Sequence, residues 1–150
     1  MFGIYPDDAP IELEGEPIVP ATIIIDGFQE SVRLPLTYWS IRDYKKSWLK
    51  SLEEGLRAKN HAALAVSMYE PGKTNFIFVW VIFFEGKKAF LRNKILFLEQ
   101  YPNFASEKIN QFIEKRTIYN EDGMKISEWS TDLKSILDFY SSLKKDCLSD

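Results

Sequence analysis

The chain contains little of what enzymes, metal sites and disulfide-linked domains are built from. Among its 150 residues there is one cysteine, Cys147, and one histidine, His61. A lone cysteine excludes a disulfide framework within the chain and a site made of several thiolates, so we expect a reducing, cytoplasmic location. The sequence also lacks the G-x-S-x-G motif, a phosphate-binding P-loop and a dinucleotide-binding glycine pattern. These absences predict that the protein binds no cofactor and no metal.

Long apolar runs are absent as well. The longest, Phe76–Phe84, has nine residues, whereas a transmembrane helix needs roughly 20. The N-terminus has no basic segment followed by an apolar core, which is the pattern of a signal peptide. The sequence therefore predicts no membrane partner.

Charge is unevenly distributed along the chain. The first 34 residues hold seven of the 22 acidic residues and one of the 19 basic residues, Arg33. No basic stripe is present, so we expect no direct binding of nucleic acid. Residues 1–20 also contain four prolines. We interpret this segment as an acidic, proline-rich arm, either solvated and partly disordered or facing a basic partner.

The centre of the predicted fold is a β-hairpin. Phe76–Phe84 is apolar on both alternating faces, so we expect a central strand that is covered on both sides. The polar break Glu85–Lys88 contains a glycine and predicts the turn. Together with 62–69 before it and 88–98 after it, this strand predicts an antiparallel meander. Two further strands are predicted at 21–26 and 29–36.

Helices are predicted on both sides of this meander in the sequence. Ser40 and Asp43 form a capping-box pattern at the start of a helix over 40–58, whose apolar residues recur every four positions. A second helix is expected from Ser130 or Thr131 to about Leu143. A short helix at 105–114 and a small exposed hairpin around 120–123 complete the prediction. The fold class is α+β, with an antiparallel sheet packed by the two long helices, in one domain over residues 1–150.

No catalytic arrangement is evident. His61 directly follows the predicted helix end, where a capping or surface role is more common than catalysis, and no carboxylate accompanies it at a helical spacing. We therefore expect a binding protein and not an enzyme. Two alternatives stay open, which are another cytosolic adaptor or interaction domain and a small enzyme that uses His61.

Three groups of residues, in this order, resemble one known family. They are Tyr38-Trp39-Ser40 with Asp43-Tyr44 and Trp48-Leu49; Ala63–Tyr69 with Asn75–Trp80 and Leu96-Phe97-Leu98; and Arg116-Thr117 with Asn120–Gly123 and Ile126–Trp129. The chain resembles immunity proteins of bacterial contact-dependent growth inhibition, of the CdiI type, over about residues 23–140.

The resemblance implies a cytoplasmic protein that binds the cognate C-terminal toxin domain of a CdiA-type protein, commonly a nuclease, and neutralises it. It carries over no contact residue and leaves the oligomeric state open. From charge and turn position we predict that the toxin-binding residues are acidic, with Tyr69 and Tyr119 as candidate aromatic anchors. The acidic candidates are Asp7, Asp8, Glu12, Glu14, Glu16, Glu30, Glu70, Glu121 and Asp122.

Overall fold

A computed structural model describes residues 1–148 and contains two four-stranded antiparallel sheets and two long helices. The first sheet comprises β1 (Phe2–Pro6), β2 (Ile11–Leu13), β3 (Glu16–Ile25) and β4 (Phe28–Pro35). The second comprises β5 (His61–Ser67), β6 (Phe76–Glu85), β7 (Lys88–Phe97) and β8 (Trp129–Asp132). The helices are α1 (Ile41–Ala58) and α2 (Leu133–Leu148), with 3₁₀ turns at Pro71–Lys73, Leu98–Gln100 and Ser106–Phe112. The α+β prediction is confirmed.

The first sheet is built around β3. β4 pairs with one edge of β3, while β1 and β2 pair one after the other with its opposite edge. β2 and β3 are joined by Glu14 and Gly15, both with positive φ (52° and 79°). That conformation matches the two-residue turns that suit the twist of a hairpin.

Residues 1–20 are therefore not a solvated, partly disordered arm, and this expectation was wrong. Pro17 and Pro20 lie where the ladders need no donor. The carbonyl of Pro20 accepts from Asp7 N (2.8 Å) in the gap between β1 and β2, and that of Pro17 accepts from Leu36 N (3.0 Å) beyond the end of β4. Since the N–H and C=O of a strand residue point to the same side, the missing N–H groups face the same gaps. Burial of apolar side chains holds the segment in place: Phe2, Ile4, Ile18 and Val19.

The second sheet has the order β5-β6-β7-β8. The predicted meander is confirmed, with β6 between β5 and β7 and the turn at Gly86, whose φ is +62°. The strand β8 was missed, because Ser130 and Thr131 were interpreted as the start of the C-terminal helix. In the structure Asp132 caps α2 instead, accepting from Ser135 N at 2.9 Å.

Helix α1 begins with the predicted capping box. Asp43 N donates to Ser40 Oγ (3.1 Å), and Ser40 N donates to Asp43 Oδ2 (2.9 Å). Tyr44 and Trp48 from the predicted stripe are fully buried. Trp48 Nε1 donates to the carbonyl of Ala65 in β5 at 2.8 Å, which fixes the helix against that strand.

The segment after β7 is less regular than predicted. The expected helix at 105–114 is a 3₁₀ segment, Ser106–Phe112, interrupted at Lys108 (φ −118°). The predicted exposed hairpin is present, with Tyr119 and Lys125 bridged across a turn at Asn120–Gly123.

Buried side chains from both sheets and both helices form one hydrophobic cluster. No helix within residues 1–148 is long and apolar enough to cross a membrane. That the whole of residues 1–150 is one domain stays a prediction, and its last two residues lie outside the described part.

Candidate functional site

Four large apolar side chains are exposed next to one another at one end of the second sheet. Phe76 and Phe78 on β6 are 40% and 42% exposed, and Ile95 and Phe97 on β7 are 41% and 46% exposed. Phe76 pairs directly with Phe97 and Phe78 with Ile95, so all four project from the same face. The rings of Phe76 and Phe78 meet edge to face, 5.4 Å apart. We call these four residues the aromatic patch.

The aromatic patch was not predicted. Alternating apolar residues in Phe76–Phe84 favoured a strand covered along its whole length, and Trp80 and Ile82 on the same face are indeed buried. This cover does not extend to the beginning of the strand, however, and leaves Phe76 and Phe78 exposed. How far one sheet covers another depends on tertiary packing, and the local sequence carries no signal for it. Contiguous apolar surface that stays exposed is typical of interaction sites.

A groove of about 920 Å³ adjoins the aromatic patch. Its walls come from β3 and β4, from the end of β5 and the residues after it, and from β6 and β7. β4 pairs only with β3 among the described strands, and its residues Glu30–Arg33 line this groove. Phe76, Phe78 and Ile95 belong to both the patch and the groove.

The groove brings together two of the predicted acidic residues, Glu16 and Glu30. Oε1 of Glu16 is buried and has no hydrogen-bond partner within residues 1–148. Burial, and then the side-chain interaction of its hydroxyl with Glu16, raise the pKa of Tyr69 to about 12, so this phenol stays protonated and can donate to the carboxylate at neutral pH. Arg33 and Lys94 also line the groove.

The other seven predicted acids lie outside the groove. Asp7 and Asp8 lie between β1 and β2, Glu12 is on β2, Glu14 is in the turn after it, and Glu121 and Asp122 are in the exposed hairpin turn. Glu70 pairs with Lys73 at 3.3 Å. The predicted set is thus spread over several surfaces. Of the two candidate anchors, Tyr69 lines the groove and Tyr119 is exposed on the hairpin.

His61 is engaged structurally. Its Nε2 lies 2.8 Å from the carbonyl oxygen of Asn110, and its ring lies edge-on to Phe83, with centroids 6.2 Å apart. Asn110 in turn accepts from Ser51 Oγ and Ala63 N, both at 2.8 Å, and so joins the 3₁₀ segment to α1 and β5. Within residues 1–148, no three histidine, cysteine or acidic side chains are grouped to hold a metal ion.

A charged cluster fixes the exposed hairpin to the sheet. Glu128 accepts from Arg92 Nε (2.7 Å) and from Arg116 Nε and Nη2 (2.9 and 2.6 Å). Arg116 also reaches Glu85 at 3.2 Å, and Arg92 donates to the carbonyl of Thr117. Burial opposes ionisation of Glu128, but the bonds from both arginines outweigh it and lower the pKa of this carboxyl below 4.5.

Comparison with known proteins gives consistent results. The family model described as the CdiI N-terminal domain matches residues 34–139. Immunity protein CdiI from Enterobacter cloacae subsp. cloacae is 58% identical over 143 residues, which are 95% of this chain and 99% of that protein. A chain in the solved CdiA-CT/CdiI toxin and immunity complex from Enterobacter cloacae is 57% identical and superposes with a TM-score of 0.93, covering 97% of this chain and 99% of that one.

Proposed function

The chain belongs to the CdiI family of immunity proteins, and from this membership we propose that it binds and neutralises the C-terminal toxin domain of a cognate CdiA-type protein. The observation that carries the proposal is the likeness, over almost the full length, to a chain of a toxin and immunity complex. No large insertion or deletion separates the two folds, so the surface through which an immunity protein acts has its counterpart here.

Neutralisation proceeds by binding and not by catalysis. The single histidine is bonded to the backbone of Asn110, whereas the aromatic patch and the groove offer an apolar area bordered by charged groups. This arrangement, with apolar residues at the centre and polar groups around them, is typical of protein interfaces. The partner is a protein, and the site of action is the cytoplasm, where a delivered toxin meets its target.

A basic nuclease is the toxin type that fits the charge of this chain best. A nuclease attracts polyanionic substrate through basic surface near its active site. An inhibitor that presents carboxylates to that surface is steered towards it and competes with the substrate. We propose that the interface draws on the predicted acids, namely Asp7, Asp8, Glu12, Glu14, Glu16, Glu30, Glu70, Glu121 and Asp122.

Growth rescue tests the proposed function. Cells that express the C-terminal toxin domain encoded immediately upstream of this chain should stop growing, and co-expression of the chain should restore growth. An unrelated toxin of equal potency, expressed in the same way, serves as the control and should not be rescued. If the upstream domain is toxic and the folded, abundant chain gives no protection, the proposal is wrong.

A further inference from the structure

The aromatic patch and the groove have the anatomy of an interface centre. The strand positions beside the patch, Trp80 on β6 and Leu96 on β7, are fully buried, so the exposed patch borders directly on the hydrophobic core. Because β6 and β7 pair over their whole lengths, the patch lies on regular hydrogen-bonded backbone and not on a loop. Binding therefore needs little ordering of this surface, which lowers its entropic cost.

Glu16 places an unsatisfied hydrogen-bond acceptor beside this apolar surface. Its Oε1 is buried without a hydrogen-bond partner, and an unpartnered buried oxygen of this kind costs free energy until a donor reaches it. The bases that line the groove, Arg33 and Lys94, form no ion pair with it within 4.0 Å among the described residues. The hydroxyl of Tyr69 already interacts with this carboxylate, but no donor within residues 1–148 reaches its Oε1. A donor supplied by a partner would complete the hydrogen bonding of Glu16.

We propose that the toxin domain docks on the aromatic patch and inserts one basic side chain, arginine or lysine, into the adjoining groove, where the carboxylate of Glu16 receives it. The apolar stem of such a side chain would lie along Phe78 and Ile95, while its cationic end reaches Glu16. This inference rests on the proposed function, because the occupant is the same toxin. It adds which surface binds and what chemistry the toxin must present.

The predicted acids then have two different roles in binding. A charge that is buried in the complex acts mainly on the dissociation rate, whereas an exposed charge at the rim acts mainly on the association rate. Glu16 belongs to the first kind. Glu12 and Glu14, which are exposed on β2 and its turn, belong to the second.

Measured binding kinetics of four variants test the inference. Phe78→Ser and Glu16→Gln change the site, and each should weaken binding of the purified toxin domain at least about tenfold, chiefly through faster dissociation. Leu137→Ser is the matched apolar control, since Leu137 is 41% exposed on α2. Glu114→Gln is the matched charge control, at an exposed residue outside the groove. Both controls should bind like the unmodified chain.

Thermal unfolding of each variant shows whether the fold is retained, and the exposed position of Phe78 makes loss of the fold at that site unexpected. If the unmodified chain binds the toxin and all four variants bind equally well, the docking surface is elsewhere and this inference falls, while the proposed function stands. If Phe78→Ser abolishes a dimer of the chain in sedimentation but leaves toxin binding unchanged, the patch serves a second copy and the inference is equally wrong. If the unmodified chain does not bind the toxin, the proposed function itself fails.

Discussion

Glu128 is the residue on which the exposed hairpin depends most directly. It forms two ion pairs, one with Arg92 (2.7 Å) and one with Arg116 (2.6 Å). The side chains of all three residues are 12–17% exposed. Removing one partner of a buried ion pair leaves the other charges without compensation, which costs more than the pair itself contributes.

Replacement of Glu128 by glutamine should therefore lower the free energy of unfolding by about 2–4 kcal/mol, measured by urea denaturation. Glu121→Gln, a change to an exposed carboxylate in the same hairpin, is the control and should stay within about 0.5 kcal/mol of the unmodified chain. A loss below 1 kcal/mol in Glu128→Gln would show that the cluster does not carry the stability assigned to it.

The same carboxyl predicts a pH dependence. The pKa of Glu128 is lower in the folded chain than its ordinary value of 4.5. Its contribution is therefore complete above about pH 4.5 and is lost as the pH falls through the lower, folded value. Stability measured from pH 7 to pH 3 should fall less steeply in Glu128→Gln than in the unmodified chain, and parallel curves would contradict this linkage.

Replacement of Gly55 by alanine shows whether helix propensity or packing determines the stability of α1 at a buried position. Propensity alone predicts that Gly55→Ala stabilises the helix by about 1 kcal/mol. A Cβ at this position, however, would lie 2.3 Å from the backbone oxygen of His61, so the helix or β5 has to move. We expect net destabilisation of about 1–3 kcal/mol, measured as a fall in Tm. Gly72→Ala, where a Cβ meets nothing within 4 Å, is the control, and stabilisation by Gly55→Ala would contradict the packing account.

At the scale of elements, one tyrosine joins three of them. The hydroxyl of Tyr44 in α1 donates to the carbonyl of Pro35 at the end of β4 (2.8 Å) and accepts from Met68 N just after β5 (3.0 Å). Burial raises the pKa of Tyr44 well above its usual value, despite the bond from Met68, so the phenol remains a donor at all ordinary pH values. This bridge ties α1 to both sheets.

Tyr44→Phe keeps the ring and removes the bridge. Since the carbonyl of Pro35 and the N–H of Met68 then stay buried without this partner, the free energy of unfolding should fall by about 1–3 kcal/mol. Denaturant midpoints of Tyr44→Phe and of Tyr38→Phe, an exposed tyrosine in the loop before α1, provide the comparison. Equal midpoints would mean that water replaces the bridge without cost.

Elements with strong local signals were predictable from the sequence, and elements defined by distant contacts were not. The capping box at Ser40, the apolar stripe of α1 and the turn at Gly86 each depend on a few neighbouring residues, and each is confirmed. The four residues of β8 are too few to show a period, and their partner in β7 lies about 40 residues earlier in the chain. The strands of residues 1–20 are stabilised by burial against distant side chains, which composition does not reveal.

Part of the candidate site was likewise predictable from the sequence, and part was not. Charge placed Glu16 and Glu30 among the predicted contacts, and the structure brings both into one groove. The aromatic patch depends on how far the rest of the chain covers β6 and β7, a tertiary property without a local signal. That these residues contact a toxin is our proposal.

At the scale of the whole molecule, charge should control how fast the partner is found. Reversal of two exposed acids, Glu12→Lys with Glu14→Lys, should slow association with the toxin about tenfold at low salt and flatten the salt dependence of the association rate. The dissociation rate should change little. Stopped-flow mixing at several salt concentrations measures both, and an unchanged association rate would remove this part of the chain from the steering surface.

Calorimetric titration against the purified cognate toxin domain shows whether this chain is an immunity protein that acts by direct binding. We expect one-to-one binding with a Kd in the nanomolar range, which corresponds to a binding free energy of about −12 kcal/mol. A folded and active toxin domain that releases no binding heat at any temperature tested, and that does not co-migrate with the chain in gel filtration, would contradict it.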